Sequence, residues 1–216
     1  MPKKTSKKND TLTAGGRHRY LHMIGVISLQ WNGVEDALEV LIATYMEMAN
    51  VDRKLSYHLT ATMGNQSRTD LLIWLVEQYE KDRRAIEVIR HAIKATHICR
   101  ENRNILLHSR AHRLIDVTRF EFARRSKTNP QNMVIHALTL PQIKLMHQAI
   151  FKTESLLRKI AHYVWIVFLR RTTVFPNYSK DYPHYANPSL PRKFALPRKL
   201  TALPLVNQLK LRPQKK

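Results

Sequence analysis

The chain has 216 residues, 44% of them hydrophobic, one cysteine and a net charge of +21. This suits one domain with tails, excludes a disulfide framework, and favours a polyanionic partner, most often nucleic acid. The longest apolar run, about Val164 to Leu169, falls far short of the roughly 20 residues a membrane helix needs, and MPKKTSKKND lacks the apolar stretch of a secretory signal.

The expectation is therefore a soluble, cytoplasmic protein with no membrane segment. The charge is uneven: residues 1–20 carry +5, residues 171–216 carry +9, and the residues between them +7. The alternative to a polyanion is a charge that only keeps the chain soluble.

Residues 1–16 are Lys-rich and polar and end in Gly15-Gly16, which predicts a disordered basic arm. A first long helix is expected over Arg17 to Met48. Ile24, Ile27, Trp31, Val34, Leu38, Leu41 and Tyr45 repeat at spacings of three and four and share one stripe. Gly25 and Gly33 either weaken this helix or let another approach closely.

A connection over Asn50 to Gln66 leads to a second helix with Ser67 as cap, filled by Leu71, Leu72, Trp74, Leu75, Val76 and Tyr79. The third is expected from Arg83 to Leu107. Two stripes compete for its core face: Ile86-Ile89-Ile93-Thr96-Arg100-Arg103, and Val88-Ala92-Ala95-Cys99-Leu106. Residues 114–122 and 133–139 are β-rich and alternate imperfectly, with a basic stretch at 124–132 between them, which predicts a hairpin.

Thr139 with Gln142 forms a capping box for a last helix, Leu140 to Arg170, with the stripe Ile143, Met146, Ile150, Thr153, Leu157, Ile160, Val164, Val167. From Arg171 on the chain holds seven of its ten prolines. It includes a near repeat, Leu190-Pro191-Arg192-Lys193 and Leu196-Pro197-Arg198-Lys199, expected to be a disordered basic tail.

The fold expected is mainly α: a four-helix up-down bundle over 17–170, with a β-hairpin inserted between the third and fourth long helices. Residues 1–16 and 171–216 would be its arms.

The stretch with most chemistry is Arg103-Asn104-Ile105-Leu106-Leu107-His108. A histidine titrates near neutrality and moves protons; an arginine holds a permanent charge and grips phosphate bidentately. The spacing alone selects nothing, since Arg17/His22 and Arg53/His58 share it. Context separates them: Arg103 and His108 close a long helix just before the β region.

At the end of the penultimate long helix of an α bundle, these six residues resemble the signature of the HEPN superfamily. That signature is an Arg, four to six residues and a His, with a polar residue such as Asn after the Arg, here Asn104. The resemblance covers roughly residues 17–170. It implies a metal-independent endoribonuclease, often a toxin or part of an antiviral or stress system, or else a catalytically inactive nucleic-acid-binding or protein-interaction module. It also implies a homodimer with two motifs facing each other, and for a toxin a neutralising antitoxin. Some members carry an acidic-plus-basic motif on an earlier helix; Glu35 and Asp36 lie on the matching helix but form no such motif.

On that reading His108 is acid or base for attack by an RNA 2′-hydroxyl, and Arg103 stabilises the phosphorane. Asn104 orients His108 or holds the phosphate. Arg100, Arg110, Arg113, Arg124, Arg125 and Lys127 are the candidates for gripping RNA. On an ideal helix Arg103 and His108 lie about 140° apart, so the helix must end or bend near Leu107, or the site must join two chains.

No cofactor is expected. A metal row of His108, His112 and Asp116 at helical spacing is the weaker alternative. No glycine-rich phosphate loop is present, and Cys99, inside a helix, is expected to be buried.

Overall fold

The computed structural model describes residues 7–116, 119–126, 133–170 and 189–200. Side chains of residues 7–17 and 110–116 are outside that description.

The described residues are mainly helical. The order is α1 (Lys7–Met48), α2 (Arg53–Thr62), α3 (Asn65–Tyr79), α4 (Arg83–His108), β1 (Arg110–Asp116), β2 (Arg119–Arg125), β3 (Met133–Thr139) and α5 (Leu140–Leu169). No helix among them is long and apolar enough to cross a membrane. The chain divides into two compact units, one formed by Met1–Leu29, Ile98–Ala149 and Pro197–Lys216, the other by Gln30–His97 and Ile150–Leu196.

In the first unit, the expected hairpin is a three-stranded antiparallel sheet in the order β1-β2-β3. The β-rich run expected as one strand over 114–122 is two strands, with Asp116 opposite Arg119. Register shifts between Ala111 and Arg113, and between Leu114 and Asp116, explain the imperfect alternation. Along β2 and β3, Phe120 and Phe122 stand opposite Leu138 and His136, and all four are buried. Tyr20 of α1 stacks 5.3 Å from Phe120, and its hydroxyl donates to Leu138 O at 3.3 Å. Thr139 N–H donates to Gln142 Oε1 at 2.8 Å, and Gln142 N–H to Thr139 Oγ1 at 3.3 Å. This is the capping box, and it joins β3 to α5 with no loop.

Of the disordered arm expected at 1–16, residues 7–16 are helical. α1 begins at Lys7 and runs through Gly15-Gly16. Two glycines cost a helix about 2 kcal/mol together, which a long helix downstream absorbs because propagation needs no new nucleus. Residues 1–6 lie outside the described residues.

In the second unit, Trp31, Val34, Leu38, Leu41 and Tyr45 of α1 are fully buried, as the stripe requires. They share the core with Leu72, Leu75 and Val76 of α3 and with Ile150, Leu157, Ile160 and Val164 of α5. Two residues after the end of α1, Asn50 has a φ of 62° in the left-handed region, with Val51 N–H donating to Met46 O at 2.9 Å. An Asn tolerates that cap better than most residues. Asp52 caps α2 by accepting Leu55 N–H at 3.1 Å. The cap of α3 is Gly64, not Ser67; the helix starts two residues before Ser67, which sits within its first turn. At Gly33 an added Cβ would collide with the Glu154 carboxylate of α5, which is the close approach that glycine permits.

The competing stripes of α4 are both buried in the second unit, Ile89, Ile93 and Thr96 of one and Val88, Ala92 and Ala95 of the other. In the first unit only the second stripe is, through Cys99 and Leu106. Arg100 and Arg103 are only half-buried, so they flank the core face.

Part of the expected disordered tail is packed. Residues 189–200 have no helix or strand, yet they contact α4. In the second unit Lys193 Nζ pairs with Glu87 Oε2 at 2.9 Å, and Phe194 meets His91 edge-on at 5.7 Å. In the first unit Lys199 Nζ pairs with Glu101 Oε2 at 2.9 Å. Residues 171–188 and 201–216 lie outside the described residues.

Candidate nucleic-acid site

The motif occupies the C-terminal end of α4, in the first unit. α4 runs as one helix to His108, so Arg103 and His108 keep the separation of about 140° that an unbroken helix imposes. His108 is exposed and lies in the last turn, where a cation suits the helix dipole. Arg103 and Asn104 are half-buried, and Arg103 Nη1 donates to Asn104 Oδ1 at 3.2 Å. The Nε of Arg103 is shielded from solvent. Arg103 and Asn104 therefore form a joined polar pair; Asn104, four residues before His108, shares a helix face with it, whereas Arg103 is turned away.

Ser109 is the single residue between α4 and β1. Its buried Oγ makes no hydrogen bond to the described residues. Directly after it, Arg110 opens β1 opposite Ala123 of β2. Arg124 and Arg125 follow at the end of β2, opposite Val134 and Met133. Arg110, Arg124 and Arg125 thus share the end of the sheet that α4 enters. Arg125 is exposed and Arg124 half-buried. Arg113 stands further along β1, opposite Glu121, and Arg100 sits two turns before His108 on α4. Lys127 lies outside the described residues.

The metal row does not form as a helical row. α4 stops at His108, and His112 and Asp116 belong to β1. No cluster of three or more potential metal ligands occurs among the described residues.

Sequence reasoning missed Asn102. It is 3% exposed, and its amide clamps the backbone of the C-terminal segment: Nδ2 donates to Arg198 O at 2.8 Å, and Oδ1 accepts Leu200 N–H at 2.9 Å. The clamp is the residue immediately before Arg103. The available signal was the repeat at 190–199, whose second copy ends at Lys199 between the two clamped residues.

No family model matches the chain, and no curated protein and no solved structure is significantly similar to it. What the site does follows from its own chemistry.

Proposed function

We propose that the chain is a metal-independent endoribonuclease of HEPN type, with Arg103, Asn104 and His108 as its reacting residues. The observation that carries this reading is an exposed His108 with a single residue between it and the sheet end where the backbone of Arg110, Arg124 and Arg125 comes together. His108 takes the proton of the RNA 2′-hydroxyl or gives one to the leaving oxygen. Arg103, steadied by Asn104, balances the charge of the phosphorane. The sheet-end arginines hold neighbouring phosphates. The products are a cyclic phosphate and a 5′-hydroxyl, and DNA is spared for want of the 2′-hydroxyl.

Because α4 is unbroken, one chain's Arg103 and His108 diverge, and the reading takes a homodimer of four-helix up-down bundles that brings two motifs together. A cytoplasmic role in a toxin-antitoxin, antiviral or stress system fits such an activity, with a neutralising antitoxin as the protein partner.

The same divergence favours a second reading, a catalytically inactive nucleic-acid-binding module that uses the basic sheet end alone. One experiment separates the two. The protein is incubated with RNA and matching DNA in excess chelator, beside His108→Ala and Arg103→Ala. RNA cleavage by the wild type only, with cyclic phosphate ends, supports the nuclease. RNA bound but uncut by all three, with affinity falling steeply in salt, supports the binding module.

A further inference from the structure

Within the second unit, α1 and α5 leave between them an open cavity of about 370 Å3. Small side chains create it. Ala37 of α1 and Ala161 of α5 are both buried and line it, and a longer residue at either position would fill it. Val40 and Thr44 continue the α1 wall at helical spacing, and Trp165 continues the α5 wall one turn past Ala161. The body of the cavity is apolar.

Its cations come from two helices. Arg53, the first residue of α2, and Arg158 of α5 line it, together with His162, and no carboxylate does. Arg158 is held in place: its Nε donates to Glu154 Oε1 at 2.8 Å and its Nη2 pairs with Asp36 Oδ2 at 3.0 Å. Those contacts use two of its three nitrogens, and Nη1 makes no hydrogen bond to the described residues. Arg53 is held loosely, with Glu47 and Tyr57 both at 3.4 Å, the outer limit of a hydrogen bond. It can turn toward a ligand at little cost.

We propose that this cavity binds a small planar anion, an aromatic ring bearing a carboxylate or a phosphate. The ring packs on Trp165 and the alanine floor, and the anion takes charge-assisted hydrogen bonds from Arg158 Nη1 and from Arg53. The volume lies near the lower end of ligand pockets, which suits one or two fused rings. Donor placement selects the anion: both guanidinium groups line the apolar cavity, while the carboxylates that engage them, Glu47, Glu154 and Asp36, are not among its lining residues. This inference does not depend on the ribonuclease reading.

The test is calorimetric titration of the full chain with 1-naphthoate, 1-naphthyl phosphate and the neutral 1-naphthalenemethanol. At least one anion should bind saturably, and about tenfold more tightly than the neutral alcohol. The tighter anion identifies the headgroup. Arg158→Gln should weaken it by about tenfold, and Arg53→Gln by less. Ala161→Leu should abolish binding; Ala37→Leu fills the same space and serves if Ala161→Leu fails to fold. The proposal is overturned if neither anion saturates, if the alcohol binds equally well, or if both leucine variants bind like wild type. It is also overturned if the leucine variants change the oligomeric state, since a second copy's side chain would then be the occupant.

Discussion

Asn102 and Leu200 are joined by a 2.9 Å hydrogen bond from the backbone N–H of Leu200 to the side-chain oxygen of Asn102. The other half of the same amide donates to Arg198 O. One buried side chain thus reads both polar groups of an extended segment, whatever that segment's own side chains are. Asn102→Ala removes both bonds at a buried site, which costs about 1–3 kcal/mol. The expected result is a lower thermal midpoint and faster proteolysis at Arg198 and Lys199. Asn102→Asp should show the same loss at Arg198 O, because a carboxylate cannot donate there. Equal midpoints for wild type and Asn102→Ala would contradict the clamp.

The first copy of the repeat offers a pH test. The Glu87 carboxyl is held below its ordinary range, first by the hydrogen bond from Lys193 and then by that residue's charge. A carboxylate depressed in the folded state contributes above its ordinary value, and the contribution is lost as pH falls through the depressed one. The pair is therefore whole at neutral pH and dissolves in acid. Both groups are exposed, so salt should weaken it. A carbon-detected titration of Glu87 should show a midpoint that rises in Lys193→Gln. An unchanged midpoint would mean the pair does not form in solution.

Gly25 and Gly33 lie on the same helix and should respond oppositely to alanine. An added Cβ at Gly25 meets nothing within 4 Å, so Gly25→Ala should stabilise by about 1 kcal/mol through helix propensity. At Gly33 the Cβ meets the Glu154 carboxylate, which is engaged by Gln30 and Arg158. Moving it breaks those contacts and cancels the gain. Thermal unfolding of the two single variants should show a raised midpoint for Gly25→Ala alone.

Replacing the motif residues should affect stability unequally, which matters for reading any activity assay. His108 is exposed, so His108→Ala should stay within about 0.5 kcal/mol of wild type. Arg103 is half-buried and bonded to Asn104, so Arg103→Ala should cost about 1 kcal/mol. Denaturant midpoints would check both. A lost activity in His108→Ala then reports chemistry rather than unfolding.

Local signals were legible in the sequence and remote ones were not. The Thr139–Gln142 cap and the stripes of α1 and α5 are written in residues three or four apart, and the buried residues follow them. β1 was half hidden, because its two register shifts break the period-two pattern that marks a strand. The packed segment at 189–200 repeats every six residues, which is neither the helix nor the strand period that marks a buried face. Extended proline-rich chain makes no internal hydrogen bonds, and its partners Glu87, Glu101 and Asn102 are about a hundred residues away in sequence. At the candidate site, the residue types of Arg103, Asn104 and His108 were legible. That Arg103 turns away from His108 while Asn104 shares its face depends on α4 running unbroken to His108.

The joints around the sheet have a mechanical consequence. α4 passes to β1 through Ser109 alone, and β3 passes to α5 through none, with the capping box pinning that second junction. Such junctions leave almost no slack between His108 and the first arginine of the sheet. The backbone distance between these two residues is set by the junction and not by a loop. On the ribonuclease reading proposed above, a single strand would bend to meet that spacing, whereas a paired stem would resist.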